Sequence, residues 1–517
     1  MATAPAAWTT ISSPDSETKV RAACAAILAA GWMTGGPDSS AEAQRAKVEG
    51  PQLRTVLAAG GDTPLVDAAR GGDADAVRAL LARRADVRQA SGDGSTALHW
   101  AAHRDNLAMA DALIRAGARV NATTDVGATA LYLACTNHSA PMVSRLLEAG
   151  ADANLALPSG ETPLMNCART GDAAAVRALL ARGARVEARE AAHQQTALMW
   201  AAAERHPAVV AALLAAKADL RARSTVYEQV VTSEVTQRAG REALNYSVRR
   251  GGSTPLLFAA RAGDAESARL LLGAGADANE ALADGLPALT LAAYSGHGDV
   301  ASVLLESGAD PNAAAIGFTA LHAAVLRSDV ALVRALLARG AMPDAAMTKG
   351  TPMRRTSQDY DLPAALIPST PFLLAARFLE PEIVRALKAG GANPRVTMRD
   401  GTTAMMLAAG VGASPTQDRR GVALIDGGRA ASEDRVLQTV EALLESGAVA
   451  EASNQSGDTA LHAAAAAGLN RVVSRLVVAG AQVNVKNGRG QSPLSLIAKR
   501  DDRRATADLL RSLGALE

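Results

Sequence analysis

From residue 61 onward the apolar positions recur in one two-part block. The chain reads GDTPLVDAARGGDADAVRALLARRADV from Gly61 and GSTALHWAAHRDNLAMADALIRAGARVN from Gly94. It reads GATALYLACTNHSAPMVSRLLEAGADAN from Gly127 and GETPLMNCARTGDAAAVRALLARGARVE from Gly160. The starts lie about 33 residues apart, a spacing typical of stacked repeats. The block returns at Gln194, Gly252, Gly285, Gly317, Pro368, Gly401, Gly457 and Gly490, about twelve units in all. Each block predicts two short helices. Thr63, Thr96, Thr129, Thr162 and Thr254 stand one residue before an apolar run, where a hydroxyl can accept from the unpaired first amides. Pro64, Pro163, Pro255, Pro371 and Pro493 follow at the first helical position, where a missing N–H costs nothing. The pairs Gly72-Asp73, Gly171-Asp172 and Gly263-Asp264 each end one helix and cap the next. The second helix carries V-x-x-LL, as at Val176, Leu179 and Leu180, and closes on glycine, as at Gly117, Gly150 and Gly183.

Composition sharpens this picture. Of 517 residues 49% are hydrophobic and only 3% aromatic, with 20% charged and a net charge of +1. Alanine pairs such as Ala101-Ala102 and Ala259-Ala260 permit close helix approach, which explains an apolar chain with few bulky rings. No block can bury its apolar face alone, so stability is shared between neighbours. Near-neutral charge argues against wholesale nucleic-acid coating. The regular apolar pattern excludes a disordered chain, three cysteines exclude a disulfide scaffold, and no long uncharged apolar run predicts a membrane span.

These strings resemble the ankyrin repeat, whose signature is G-x-TPLHxAA-x-x-G followed by V-x-x-LL-x-x-GAxxN. The resemblance covers roughly residues 61–517, less three insertions. TALMWAAAERHPAVV (196–210) and GGSTPLLFAARAGD (251–264) are similar to long bacterial ankyrin arrays. It implies an all-α ankyrin-repeat solenoid, elongated and curved, with short β-hairpin fingers and a non-enzymatic binding role. Residues 61–223 hold repeats one to five, 252–345 repeats six to eight and 368–517 repeats nine to twelve.

The insertions are 224–251, 346–367 and 410–433. The first two fall where one repeat hands over to the next, which in ankyrin arrays is a finger on the concave side. The third falls between two helices of one unit. Loops carry function disproportionately. Tyr227, Tyr246 and Tyr360 lie in the first two insertions, with the pairs Arg249-Arg250 and Arg354-Arg355. Tyrosine and arginine are enriched at interface hot spots. The alternative is that these stretches are solvated loops.

A basic stripe is the second candidate. Arg70, Arg104, Arg169, Arg261, Arg327, Arg377 and Arg500 stand just after the alanine-pair slots, a position that by resemblance faces the concave groove. Such guanidinium groups suit carboxylates or phosphates. The simpler reading pairs Arg70 with Asp73, Arg169 with Asp172 and Arg261 with Asp264.

Signs of chemistry are few. There is no phosphate loop, no H-E-x-x-H, no G-x-S-x-G and no C-x-x-C, and no cofactor is expected. Cys135 and Cys167 occupy alanine-pair slots of consecutive repeats. One repeat of separation places them beyond the ~7 Å limit for a disulfide, which makes them small core residues. His99, His322 and His462 occupy the TPLH position, which the resemblance makes structural. His103, His138, His206 and His297 scatter near the helix–helix turns and would meet a metal only by convergence across repeats.

Residues 1–60 precede the array. Lys19 and Arg21, the apolar run 22–33 and Ala41-Glu42-Ala43 have the layout of a secretory signal over 19–43, which favours export over a cytoplasmic location and would remove Cys24. A helix capping the first repeat or a disordered leader is the alternative, and a degenerate half-repeat fits 40–60. The expected partner is a protein; nucleic acid is disfavoured, and a monomer is expected.

Overall fold

The computed structural model describes residues 63–232, 245–349, 366–411 and 428–516, with residues 231, 232, 245, 246 and 428–432 placed by their backbone alone. The leader readings and the candidates Arg354, Arg355 and Tyr360 lie outside the described residues. Two compact units emerge: residues 63–133 with Ala149–Ala151, and residues 134–148 with 152–516.

The described residues hold 24 helices, which fall in twelve pairs in the register of the recurring blocks. In the first unit Pro64–Gly71 pairs with Ala74–Ala82, and Ala97–His103 with Leu107–Arg115. First helix packs on first helix and second on second. The second unit repeats the arrangement from Pro163–Thr170 with Ala173–Ala181 to Pro493–Ile497 with Arg504–Ser512. The helices form for the reasons legible in the chain. Thr162 and Thr254 accept from the N–H of Met165 and Leu257, and Asp73, Asp172 and Asp264 cap the second helices. Gly72, Gly171 and Gly263 end the first helices in the left-handed region. Thr63 is the exception: its hydroxyl makes no capping bond.

Two of the TPLH histidines, His99 and His462, work as expected. The backbone N–H of Thr96 donates to His99 Nδ1 at 3.1 Å, which leaves the ring proton on Nε2 to donate to the Ala128 carbonyl at 3.1 Å. His462 repeats the geometry with Thr459 and Gln491. His322 is fully buried, and burial pushes its imidazole down to about 4 from an ordinary 6.5. It is therefore neutral when folded. Between about pH 4 and 6.5 the unfolded chain binds the extra proton, so stability falls as pH falls through that window. Acidification from pH 7 to 5 is expected to cost about 2 kcal/mol through His322 alone. Urea titrations of wild type and His322→Gln at both pH values check this; an equal loss in the two proteins would refute it.

The cysteine expectation is corrected. Cys135 and Cys167 form a disulfide with their Cα atoms 4.7 Å apart. Their sequence separation is 32, one short of the repeat. Cys135 fills the second slot of its alanine pair and Cys167 the first slot of the next. Those two slots face each other across consecutive first helices, and axes 8–10 Å apart put facing Cα atoms, each about 2.3 Å off its axis, only about 4–5 Å apart.

The third insertion is shorter than its sequence suggests. The second helix of that repeat already begins at Gly428 and runs to Glu445, so the C-terminal part of 410–433 is helical. Residues 412–427 lie outside the described residues.

Candidate functional site

Most described fingers are closed by one backbone bond, and the first two insertions enter inside it. Ser91 N–H donates to Ser95 O at 2.9 Å and Leu157 N–H to Glu161 O at 2.9 Å. In the first insertion the equivalent bond runs from Ser224 N–H to Ser253 O at 3.0 Å; in the second it runs from Met347 N–H to Ser369 O at 2.9 Å. Long loops are thus spliced into fingers whose roots are unchanged. Neighbouring fingers are also tied: Ala191 N–H donates to Ser159 O and Thr225 N–H to His193 O, each at 2.7 Å.

The first insertion builds a ribbon on this root. Strands β1 (Val226–Thr232) and β2 (Asn245–Gly251) pair antiparallel, with Tyr227 opposite Arg250, Glu228 opposite Arg249 and Val231 opposite Tyr246. β-branched and aromatic residues suit such strands. Gly251 and Gly252 both have positive φ, and a Cβ at Gly251 would meet the Thr225 carbonyl at 1.9 Å. Only glycine permits this tight exit. Arg223 Nη1 clamps the root by donating to Gly252 O at 2.7 Å and Ala281 O at 3.0 Å.

The register brings two of the sequence candidates together. Tyr227 is 50% exposed and stands across from Arg250, whose Nε donates to Gln229 Oε1 at 3.3 Å and whose Nη1 lies 3.9 Å from Asp284. Arg249 is exposed beside Glu228. Val226 and Val230, exposed by 42% and 66%, are further members that residue-type reasoning missed. Their signal was the β-branched and aromatic content of the stretch VYEQVVT.

The arginine stripe is largely engaged within the array. Arg104 Nη2 donates to the Arg70 carbonyl, Arg327 Nε to Tyr294 O at 2.7 Å and Arg500 Nη1 to Ala466 O at 3.3 Å. Each bond serves the carbonyl-rich end of the preceding first helix, where a cation is favoured. Arg70 and Arg169 lie over Trp100 and Trp200, at 5.5 and 5.1 Å. Arg70 pairs with Asp67 and Arg169 with buried Glu161, so the pairing with Asp73 and Asp172 gives way. Those aspartates are committed to helix caps. Burial pulls the Arg377 guanidinium below its ordinary range, and Arg261 is exposed at the end of its helix.

His206 and His297 serve the same helix ends, with Nε2 2.9 Å from Arg169 O and 3.1 Å from Arg261 O. Among the described residues no group of three or more His, Cys, Asp or Glu gathers to hold a metal, and no helix is long and apolar enough to cross a membrane.

A family model described as ankyrin repeats (3 copies) matches residues 48–124, 65–156, 131–224, 232–315, 256–347 and 428–515. The chain belongs to the ankyrin-repeat family. Ankyrin repeats are in general protein–protein interaction modules, and the family is typically a non-enzymatic scaffold. Among solved structures, the chain is similar to the human ASB11 ankyrin repeat domain, with 28% identity over 48% of this chain and 100% of that one and a TM-score of 0.39. No curated protein matches.

Proposed function

We propose that this ankyrin array is a non-enzymatic scaffold that holds a protein partner through its concave groove and its enlarged fingers, chiefly the hairpin of 224–251. The observation that carries the proposal is the ribbon itself. Its root is tied to two neighbouring fingers, while Val226, Tyr227 and Val230 stand exposed on its strands. An apolar and aromatic surface on a rigid base suits a binding hot spot. Tyr246, Arg249 and Arg250 belong to the same finger, and Arg354, Arg355 and Tyr360 to the second enlarged finger. Arg104, Arg169, Arg261, Arg327 and Arg377 line the groove in this reading. Polyanion binding through those arginines has less support, because carbonyls and aromatic rings already engage several of them.

Deleting 224–251 and joining the flanks with a short turn is expected to leave helical content within a few per cent and to abolish partner capture. Circular dichroism and affinity capture followed by mass spectrometry measure the two. Unchanged capture by the deletion variant would end the proposal.

A further inference from the structure

Consecutive repeats meet at a seam where the turn after one second helix adjoins the same turn of the next repeat. At six seams one side chain accepts a backbone N–H from the following repeat. Asn154 accepts from Arg185 and Asn279 from Asp310, each at 2.7 Å, and Asn312 and Asn484 repeat the bond with Met342 and Leu516. Carboxylates do the same at the other two: Glu187 accepts from Asp219 at 2.8 Å and Asp344 from Asn393 at 3.0 Å. The first seam has no such acceptor. Arg88 occupies the position, and a guanidinium donates but cannot accept. The corresponding N–H, that of Arg119, finds no acceptor among the described residues. An open cleft of about 490 Å³ lies at this seam, lined in part by Arg84, Asp86, Arg88 and Ala116. Asp86 is already engaged, since its Oδ1 accepts from Arg88 N–H at 2.9 Å. Neither Arg84 nor Arg88 is in an ion pair among the described residues, whereas Arg70 and Arg78 are.

Arg84 adds a second observation. Its φ is 62°, in the left-handed region where Gly117, Gly150 and Gly183 stand in the next three repeats. Strain of this kind clusters at binding and active sites. A cation is favourable near a helix C-terminus, but other repeats supply it one residue earlier and without strain. There Arg182 and Arg339 donate to the carbonyls of Leu147 at 3.2 Å and Leu305 at 2.6 Å, and Arg83 holds that position in the first repeat. Arginine recurs in the Arg88 position at Arg221 and Arg395. Beside Arg221 an acid, Asp277, takes the Arg119 position, and beside Arg395 a glycine, Gly391, takes the Arg84 position. Three arginines therefore share a seam only at the first.

We infer that the first seam is a carboxylate-binding site. A carboxylate from outside the chain takes the place that Glu187 and Asp344 fill at their own seams, accepting from Arg119 N–H and pairing with Arg84 and Arg88. The internal carboxylates specify the ligand class, and planar guanidinium groups match the two oxygens of that group. The group belongs to an acidic residue or chain end of a protein, or to a small organic acid; the recognition chemistry is the same. The site lies at the ends of second helices and does not depend on the hairpin of 224–251.

The test follows the anisotropy of a fluorescein-labelled hexaglutamate peptide on the full chain at low salt, with unlabelled succinate and inorganic phosphate as competitors. Arg88→Asn restores the residue that seals other seams. Its thermal midpoint is expected to equal or exceed that of wild type, while peptide affinity falls about tenfold or more, the effect of losing a charge-assisted hydrogen bond. Arg84→Gly relieves the left-handed backbone and is expected to raise the midpoint while weakening binding. Arg395→Asn is the control, with affinity unchanged. Amide exchange at Arg119 is expected to slow when the peptide is bound. Displacement of the label by succinate would show that a free carboxylate suffices, and resistance to succinate that the group must come from a chain; either result supports the site. Equal affinity in wild type and Arg88→Asn, or an equal loss in Arg395→Asn, would overturn it. Phosphate displacing the label at lower concentration than succinate would overturn the carboxylate assignment, and no peptide binding at low salt would end the proposal.

Discussion

Reduction of the Cys135–Cys167 bond is expected to destabilise the repeats it joins by about 3–4 kcal/mol. The bond closes a loop of 32 residues, and loop-closure entropy for that length gives a figure of this size. Both cysteines are fully buried, so reduction also leaves two thiols facing each other in a channel shaped for alanine. Stability in a repeat array is a sum of local and nearest-neighbour contributions, so the loss is expected to fall on the third and fourth repeats first. Urea unfolding with and without dithiothreitol, followed by amide exchange over 130–181, measures this. The double variant Cys135→Ala, Cys167→Ala is expected to match the reduced protein within about 1 kcal/mol, because alanine is the residue of these slots elsewhere. Thiol counting on the folded, unreduced protein should find no free thiol at 135 or 167. Two reactive thiols at 135 and 167 would refute the bond.

Arg435→Ala is expected to cost about 3 kcal/mol, more than Glu380→Ala. Glu380 is almost fully buried and joins three repeats: Oε1 accepts from Ser328 Oγ at 2.8 Å and Oε2 from Arg435 Nη2 at 2.8 Å. Arg435 also donates from Nε to the Leu379 carbonyl at 2.8 Å. Its side chain is half exposed, so a guanidinium left behind can turn to water, whereas the buried carboxylate loses its charged partner and stays away from water. Breaking a buried pair costs most when the buried charge is the one left behind. The double variant is expected to lose about 1–2 kcal/mol less than the sum of the single losses, the signature of coupled residues. Additive losses in a thermodynamic cycle would show that the three repeats are joined by packing alone.

Much of this was legible in the chain. The twelve helix pairs, the prolines at helix starts and the capping aspartates follow from local rules that hold within a single block. Thr63 shows the limit of such rules: a capping residue type in the capping place makes no cap. The hairpin was foreshadowed by its position between repeats, but its register was not. Which residues stand opposite one another depends on the Gly251-Gly252 turn and on the Arg223 clamp, and the clamp reaches the next finger at Ala281.

The cysteines and arginines mark the division most clearly. By itself the sequence determined the repeat, its two helices and the slots that must be small, because these arise from periodicity and from the conformations that each residue type tolerates. It also placed Cys135 and Cys167 in those slots, and a separation of 32 in a 33-residue period marked them as opposite members of their pairs. That the slots lie close enough to bond was decided only by the tertiary structure, since interhelical approach depends on the volume of every side chain between two layers. The arginine stripe was likewise visible as a line of charge. Its engagement with the carbonyl ends of neighbouring helices was not, because a local reading sees the aspartate three residues away and cannot see the carbonyl one repeat away.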